Sequence, residues 1–244
     1  MIGVVKLPEP REVRASVDRV VDLTGDVREV RLRLVEPSRL EYRPGQYADF
    51  QIRNSRGEVE VRGFSIASEP GEKGLLFAAK ILPHGLAGAY FRGLSVGAEV
   101  SLRAPLGGFA LSEDGGLSRL FVGTGTGVAP LRGMIRHLLL RRGEKGPVTL
   151  LFGVRHTADA FWEKEFRALE RDHGNFRLVL TLSQPPHDWE GARGRVTDHL
   201  DRLATHVREL EVYVCGWPAM VEEVSRRLFE RGLDPARLRR ERFD

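Results

Sequence analysis

Cysteine is almost absent from this chain of 244 residues, because Cys215 is the only one. A single cysteine cannot form a disulfide within the chain, and it cannot supply the four thiolates of an iron–sulfur cluster. The seven histidines are scattered, and none of them lies near cysteine or carboxylates at the spacing of zinc ligands. We therefore predict that the protein has no metal centre.

Long apolar runs are absent as well. No run approaches the roughly 18 residues that a membrane-spanning helix needs, and the first residues lack the apolar core of a signal peptide. Apolar residues make up 41% of the chain and charged residues 30%, which is typical of a globular protein. We expect a soluble protein of the cytoplasm that does not associate with membranes.

An excess of charge of one sign is also missing. The net charge is +4, and it divides evenly into +2 for residues 1–112 and +2 for residues 113–244. No part of the chain therefore has the concentrated basic charge of a nucleic-acid-binding domain. We expect no nucleic-acid partner.

Short strands dominate the first 110 residues. Turn-forming glycine, proline and asparagine separate six segments that are rich in valine, leucine, isoleucine and phenylalanine, and only one short helix is expected, at 86–92. This pattern predicts an antiparallel six-stranded Greek-key β-barrel. The expected strands are 13–21, 27–35, 46–52, 58–65, 75–82 and 99–103.

Strands and helices alternate from about residue 117 onwards. The alternation predicts a Rossmann-like α/β domain with a five-stranded parallel sheet, whose strands are 119–123, 147–154, 176–182, 211–215 and 238–243. The expected helices are 128–142, 159–171, 197–204 and 218–231. The polar, glycine-rich segment 112–116 marks the boundary, which gives domains 1–112 and 113–244.

The first strand of this second half leads into a glycine-rich segment, 123–127, which we call the glycine loop. Glycines let a backbone approach phosphate closely, and free N–H groups at the start of the following helix attract negative charge. The spacing is not G-x-G-x-x-G, and the next strand ends at Arg155 rather than at an acidic residue. The loop predicts a bound nucleotide, and a turn without a ligand stays open at this point.

Four motifs occur in the order of a known family. They are 62–65 (Arg-Gly-Phe-Ser), 85–90 (Gly-Leu-Ala-Gly-Ala-Tyr), 123–130 (the glycine loop through Ala-Pro) and 212–220 (with Cys-Gly at its centre). The chain resembles the ferredoxin–NADP reductase superfamily along nearly its whole length. The resemblance implies that 1–112 binds FAD, or less readily FMN, and that 113–244 binds NADH or NADPH.

The resemblance also implies an activity. A flavoprotein reductase of this kind passes hydride from the nicotinamide to flavin N5, and then passes electrons to an acceptor. Because one cysteine cannot build an iron–sulfur relay, the acceptor is expected to be a separate protein such as ferredoxin. Six arginines near the C-terminus could form a docking surface for an acidic partner, although a solvated helix face with charged flanks is slightly favoured: Arg226, Arg227, Arg231, Arg237, Arg239 and Arg240.

The motifs carry the family's flavin-binding roles onto particular residues. Arg62 would hold a phosphate, Phe64 would lie along the flavin ring, and Ser65 would hydrogen-bond N5. The family more often has tyrosine at position 64 and serine or threonine at position 88, so Phe64 is alternatively a core aromatic. The expected flavin-binding residues are Arg62, Gly63, Phe64, Ser65, Gly85, Leu86, Ala87, Gly88 and the C-terminal Phe243.

The resemblance also assigns the family's catalytic and nucleotide-binding roles to particular residues. Ser65, Cys215 and Glu241 are the expected catalytic residues, although a lone cysteine is as often a small buried apolar residue. The expected nucleotide-binding residues are Gly123, Thr124, Gly125, Thr126, Gly127, Pro130, Arg155, Ser183, Arg193, Cys215 and Gly216.

The coenzyme and the activity leave alternatives open. NADPH-selective relatives carry Ser-Arg where this chain has Ser183 and Gln184, which favours NADH, although Arg193 or Arg195 could replace the missing arginine. Phe64 and Gly88 also fit a flavin reductase that uses free flavin as substrate. A nucleotide-binding electron-transfer subunit or sensor without turnover is the third hypothesis.

Overall fold

The computed structural model describes residues 7–243, which form two compact units. The first unit contains the residues up to Leu111 together with Arg132–His137. The second unit contains Ser112–Leu131 and the residues from Leu138 onwards. In the described part of the chain, no helix combines the length and the apolar character that crossing a bilayer requires.

The first unit is built on one antiparallel six-stranded sheet whose order is β4-β3-β6-β1-β2-β5. The sheet curls so that its edges meet, because the Ala67 N–H after β4 donates to the Leu76 oxygen in β5 at 2.8 Å. One helix, α1 (Leu86–Gly93), follows β5. The strands are β1 (Arg11–Asp22), β2 (Val27–Glu36), β3 (Tyr47–Arg53), β4 (Val59–Ser65), β5 (Leu75–Lys80) and β6 (Glu99–Leu106).

Alternating burial along these strands creates the core of the first unit. Val13, Ala15 and Val17 of β1 are buried, while Arg14 is exposed and Ser16 is half-buried. Such a period of two is what a sheet with one covered face requires. Phe50 and Phe91 are fully buried with ring centroids 5.1 Å apart, so α1 covers the inner face of the sheet.

The second unit is a parallel six-stranded sheet of order β10-β9-β8-β7-β11-β12, with helices between the strands. The predicted fold class is confirmed, and the two-residue strand β10 adds a sixth strand to the five expected. The strands are β7 (Ser118–Thr124), β8 (Val148–Val154), β9 (Phe176–Leu182), β10 (Ala192–Arg193), β11 (Leu210–Gly216) and β12 (Leu238–Arg242). The helices are α2 (Val128–Arg136), α3 (Glu163–Asp172), α4 (Leu200–Leu203) and α5 (Pro218–Glu230).

Three helix boundaries differ from the expected ones for local reasons. The helix expected from residue 159 begins at Glu163, because Trp162 has a left-handed φ of 61° that a continuous helix cannot accommodate. The helix expected over 128–142 is α-helical only to Arg136, and His137–Arg142 widens into a π-helical turn. The expected helix 197–204 is divided between a 3-10 turn, Val196–His199, and the short α4 that follows it.

Candidate functional site

The glycine loop lies at the carboxyl end of β7, where ligands bind in open parallel sheets. Gly127 packs so closely on β11 that a Cβ there would stand 2.3 Å from the Cys215 carbonyl oxygen. Gly125 has a left-handed φ of 53°, and nothing lies within 4 Å of the position a Cβ would take. One glycine therefore fixes the loop against the sheet, while another leaves open space beside the backbone.

A buried hydroxyl without a partner stands in the same loop. Thr124 Oγ1 is buried and has no hydrogen-bond partner, and a Cβ on Gly216 would lie 2.3 Å from it. The first turn of α2 carries no acidic side chain that would repel an anion. An unsatisfied hydroxyl, an open cradle at Gly125 and a 3-10 turn that lacks a side-chain cap from Thr124 fit the diphosphate of a dinucleotide.

Cys215 and Glu241 are register partners on β11 and β12. Cys215 is fully buried, and its Sγ lies 4.0 Å from Glu241 Oε2. Burial, reinforced by the Glu241 carboxylate, raises the pKa of the Cys215 thiol well above its ordinary value. The thiol therefore stays neutral near pH 7, which suits a small wall beside a ligand rather than a nucleophile.

Backbone hydrogen bonds join the loop after β8 to the loop after β9. Strand β8 pairs with β7, which leads into the glycine loop. The Gln184 N–H donates to the Arg155 oxygen at 3.0 Å, and the Ser183 N–H donates to the Val154 oxygen at 3.0 Å. Arg193 Nη2 donates to two carbonyls of its own loop, His187 at 2.9 Å and Trp189 at 2.6 Å. Those bonds engage Nη2, so that this nitrogen is less available to a 2′-phosphate.

Arg62 stands on β4 with 44% of its side chain exposed. Its Nη2 lies 2.6 Å from Glu60 Oε2, and its Nη1 donates to the Val61 oxygen at 2.9 Å. An exposed ion pair of this kind contributes little to stability, so a phosphate could replace the Glu60 carboxylate. Gly63, next in the chain, packs on the Tyr47 ring, which a Cβ would approach to 3.3 Å.

Phe64 belongs to the aromatic core of the first unit. Its ring centroid lies 4.5 Å from that of Phe91 and 5.5 Å from that of Phe50. Phe64 is nevertheless only half-buried, whereas its neighbour Ser65 is 7% exposed. The motif therefore combines one exposed cation, one partly covered ring and one sheltered hydroxyl, which fits the phosphate, ring and N5 of a flavin.

The second flavin motif opens α1. Gly85 is the N-cap residue and supplies no side-chain hydrogen bond, and no acidic residue occupies the first turn with Leu86 and Ala87. A Cβ on Gly88 would lie 2.4 Å from the Leu82 carbonyl oxygen, so this backbone has no room for the serine or threonine usual in the family. The free N–H groups of this first turn remain suited to a phosphate.

The structure places the predicted residues in two sets. Arg62, Gly63, Phe64 and Ser65 lie on β4, and the Gly85–Gly88 turn opens α1. The second set lies along the carboxyl ends of β7, β8, β9 and β11, and the Phe243 N–H joins it by donating to the Gly216 oxygen at 3.0 Å. The individual roles of these residues stay predictions, as do the domain assignments 1–112 and 113–244.

Sequence reasoning missed Tyr47. This residue pairs with Ser65 across β3 and β4, and its ring packs on Gly63 and on Gly107, whose Cβ would approach it to 2.7 Å. The position of Tyr47 could have been predicted from the expected strands 46–52 and 58–65. If these strands pair as an antiparallel hairpin, the start of the first lies opposite the end of the second, where Ser65 is.

The proposed basic docking surface is largely neutralised within the second unit. Arg226 and Arg227 pair with Glu223, Arg231 pairs with Asp201, and Arg239 pairs with Glu211 at 2.6 Å. Arg237 donates to the Arg208 carbonyl oxygen at 2.8 Å. These contacts favour the solvated helix face over a steering patch for an acidic partner.

Two oxidoreductase domain families match the chain in succession. Residues 14–111 match an oxidoreductase FAD-binding domain, and residues 121–226 match an oxidoreductase NAD-binding domain. The chain thus matches, in this order, the FAD-binding and the NAD-binding domains found in oxidoreductases.

Similar proteins narrow this class to a family. The reductase component of a naphthalene 1,2-dioxygenase/salicylate 5-hydroxylase system from Ralstonia sp. is 32% identical over 96% of this chain and 69% of its own length. The crystal structure of the Amycolatopsis cytochrome P450 reductase GcoB superposes with a TM-score of 0.87 at 35% identity, covering 99% of this chain and 72% of that one. The chain belongs to the ferredoxin–NADP reductase superfamily.

Several relatives are considerably longer than this chain. The propane 2-monooxygenase reductase component of Rhodococcus jostii (strain RHA1) is 36% identical over 219 residues, which make up 87% of this chain but 58% of that protein. The corresponding component of Mycolicibacterium goodii is covered over 62% of its length. The chain thus spans about three fifths of these propane 2-monooxygenase reductase components.

Proposed function

We propose that the protein is an FAD-dependent NAD(P)H oxidoreductase. It takes hydride from the nicotinamide at flavin N5 and passes electrons to a separate protein acceptor, such as a ferredoxin or an oxygenase component. The observation that carries this proposal is the succession of an FAD-binding and an NAD-binding domain in one chain. Relatives named as reductase components of oxygenase systems support it, at 32% and 36% identity.

The flavin-binding residues have separable tasks in this proposal. FAD, when bound, supplies a hydride acceptor at N5 and releases its two electrons singly. Arg62 and the free N–H groups at the start of α1 hold the negative diphosphate. Ser65, sheltered from water at 7% exposure, directs a hydrogen bond at the N5 position.

The second unit supplies the coenzyme site. The glycine loop binds the pyrophosphate, with the unpartnered Thr124 hydroxyl available as a donor. Cys215 gives the nicotinamide a neutral wall because its thiol stays protonated, and Glu241 beside it supplies a carboxylate at the same edge of the sheet. A protein that consumes NAD(P)H would work in the cytoplasm, where we place it.

A flavin reductase that uses free flavin is the second candidate. Phe64 lacks the hydroxyl of the usual tyrosine, and the Leu82 carbonyl excludes any side chain at Gly88. Two side-chain contacts that would tighten flavin binding are therefore missing. Stoichiometric flavin in the purified protein would support the electron-transfer reductase, and a colourless protein that reduces added flavin would support this candidate.

Steady-state turnover separates both enzymes from a non-catalytic subunit. We expect the purified protein with FAD to oxidise NADH continuously with ferricyanide as acceptor, because ferricyanide accepts electrons one at a time from reduced flavin. The assay compares the wild type with FAD alone at the same concentration. Bound flavin without turnover above that background would support the non-catalytic hypothesis instead.

We predict that NADH is preferred to NADPH by at least about tenfold in kcat/KM. The loop after β9 has Gln184 in place of an arginine, and Arg193 is engaged by the carbonyls of His187 and Trp189. With Gln184 in place of an arginine and Nη2 of Arg193 engaged, a 2′-phosphate has fewer charge-assisted hydrogen bonds available to it. Kinetics with both coenzymes measure the ratio, and the Gln184→Arg variant should lower it; an NADPH preference in the wild type would contradict this account.

A further inference from the structure

Arg132 is a nearly buried cation in the first unit, with 5% of its side chain exposed. Its Nη1 donates to the Ala67 carbonyl oxygen at 2.8 Å and to Glu72 Oε2 at 3.1 Å. Its Nη2 donates to Glu72 Oε1 at 3.2 Å. The planar guanidinium of Arg132 thus binds both carboxylate oxygens of Glu72. It also binds the backbone carbonyl of Ala67, two residues after Ser65.

Glu72 fixes the orientation of that guanidinium. Arg31 Nη2 lies 2.9 Å from Glu72 Oε1, and Arg136 Nε lies 3.3 Å from Glu72 Oε2. Although burial alone would raise it, Arg132 first, and then Arg31 and Arg136, lower the pKa of Glu72 to about 2. The carboxylate therefore keeps its charge throughout the neutral range, and the bidentate contact holds the plane of Arg132.

The segment 66–68, directly after Ser65, is held from several sides. The Ile66 N–H donates to the Gln46 oxygen at 2.9 Å, and Ser68 Oγ accepts the Leu76 N–H at 3.1 Å. Gly133, next to Arg132 on α2, presses its backbone against the same segment, since a Cβ there would lie 2.8 Å from the Ser68 oxygen. The Arg132 guanidinium completes this frame by holding the Ala67 carbonyl.

We propose that Arg132 is a positioning residue, which sets the place of the Ser65 hydroxyl through the Ala67 carbonyl while Glu72 holds it in plane. This inference rests on the proposed function, because it assigns Arg132 a role only through Ser65. A buried ion pair is weak evidence for stability by itself. The planar, bidentate contact of the Arg132 guanidinium is stronger evidence for a positioning role. A lysine ammonium would keep the charge beside Glu72, but it cannot make these planar contacts.

The Arg132→Lys variant tests the proposal, with Arg31→Lys as its matched control. Arg31 contacts the same carboxylate and the Lys73 oxygen, and none of its hydrogen bonds described here reaches segment 66–68. We expect amide hydrogen exchange of segment 66–68 to rise at least about tenfold in Arg132→Lys and to stay within twofold of wild type in Arg31→Lys. This comparison needs no coenzyme.

Rapid anaerobic mixing of the FAD-loaded variants with NADH gives the second readout. A displacement of Ser65 by a fraction of an ångström should slow the limiting rate of flavin reduction about tenfold or more, while the Kd for NADH stays within twofold. Gly133→Ala, which crowds the Ser68 carbonyl, should act in the same direction. It also keeps the test decisive if Arg132→Lys does not fold.

The outcomes distinguish the two proposals. A wild type that NADH and NADPH both fail to reduce overturns the proposed function and this role with it. A normally reduced wild type, beside an Arg132→Lys protein that matches Arg31→Lys in exchange and in limiting rate, overturns the positioning role alone. A rise in Kd for NADH with an unchanged limiting rate overturns it too, because the defect would then lie in coenzyme binding.

Discussion

Replacing Gly127 with alanine should abolish efficient use of NADH while leaving FAD binding intact. The new Cβ would stand 2.3 Å from the Cys215 carbonyl oxygen and 2.7 Å from the Gly216 Cα, both of them backbone atoms that cannot rotate away. The glycine loop must therefore shift, and a shift near 1 Å at a binding loop costs on the order of 100-fold. We expect kcat/KM for NADH to fall by about that factor.

A glycine elsewhere in the second unit controls for this substitution. Nothing lies within 4 Å of a Cβ on Gly174, so Gly174→Ala should keep kcat/KM within twofold of the wild type. Flavin content, measured by absorbance after gel filtration, should be equal in both variants. A Gly127→Ala protein with wild-type kcat/KM would show that the glycine loop does not bind the coenzyme.

Removing the Ser65 hydroxyl should have the second large effect. A preorganised hydrogen bond aimed at a reacting atom contributes roughly 100- to 1,000-fold to a rate, and Ser65 is sheltered enough for such a bond at 7% exposure. We expect the limiting rate of FAD reduction by NADH in Ser65→Ala to fall at least about 100-fold. The Kd for NADH should change little, because the hydroxyl acts on the flavin side.

Ser101→Ala is the control for this variant, since Ser101 lies exposed on β6. Both proteins should bind FAD and unfold at temperatures close to that of the wild type. If Ser65→Ala is reduced as fast as Ser101→Ala, the hydroxyl has no part in hydride transfer, and the assignment of the Arg62–Ser65 motif to N5 fails.

Much of the fold follows from local sequence. The alternation of Val13, Ala15 and Val17 predicts the inner face of β1, and the apolar run 120–122 before the glycine loop predicts the buried β7. Both signals are local. A strand buried on one face has apolar residues at every second position, and a strand buried on both faces has a continuous apolar run. The left-handed φ of Trp162 leaves neither a period nor a run in the sequence.

The motifs of the candidate site could be predicted from the sequence, but the tertiary contacts that hold the backbone beside them could not. Glu72 lies 60 residues before Arg132 and pairs with it through tertiary structure alone, so no spacing rule indicates the contact. The glycine at position 88 looked like a departure from the family, and the Leu82 carbonyl supplies its physical reason. The ion pairs of Arg226 and Arg227 could have been predicted from the sequence, because Glu223 precedes both arginines by one helical turn.

The absorption spectrum of the purified, FAD-loaded protein under anaerobic conditions tests the central claim most directly. We expect NADH to bleach the visible absorption bands of the oxidised flavin at a rate that saturates with coenzyme. NADPH should do so less efficiently. Flavin bands that neither coenzyme bleaches faster than free FAD would contradict the account.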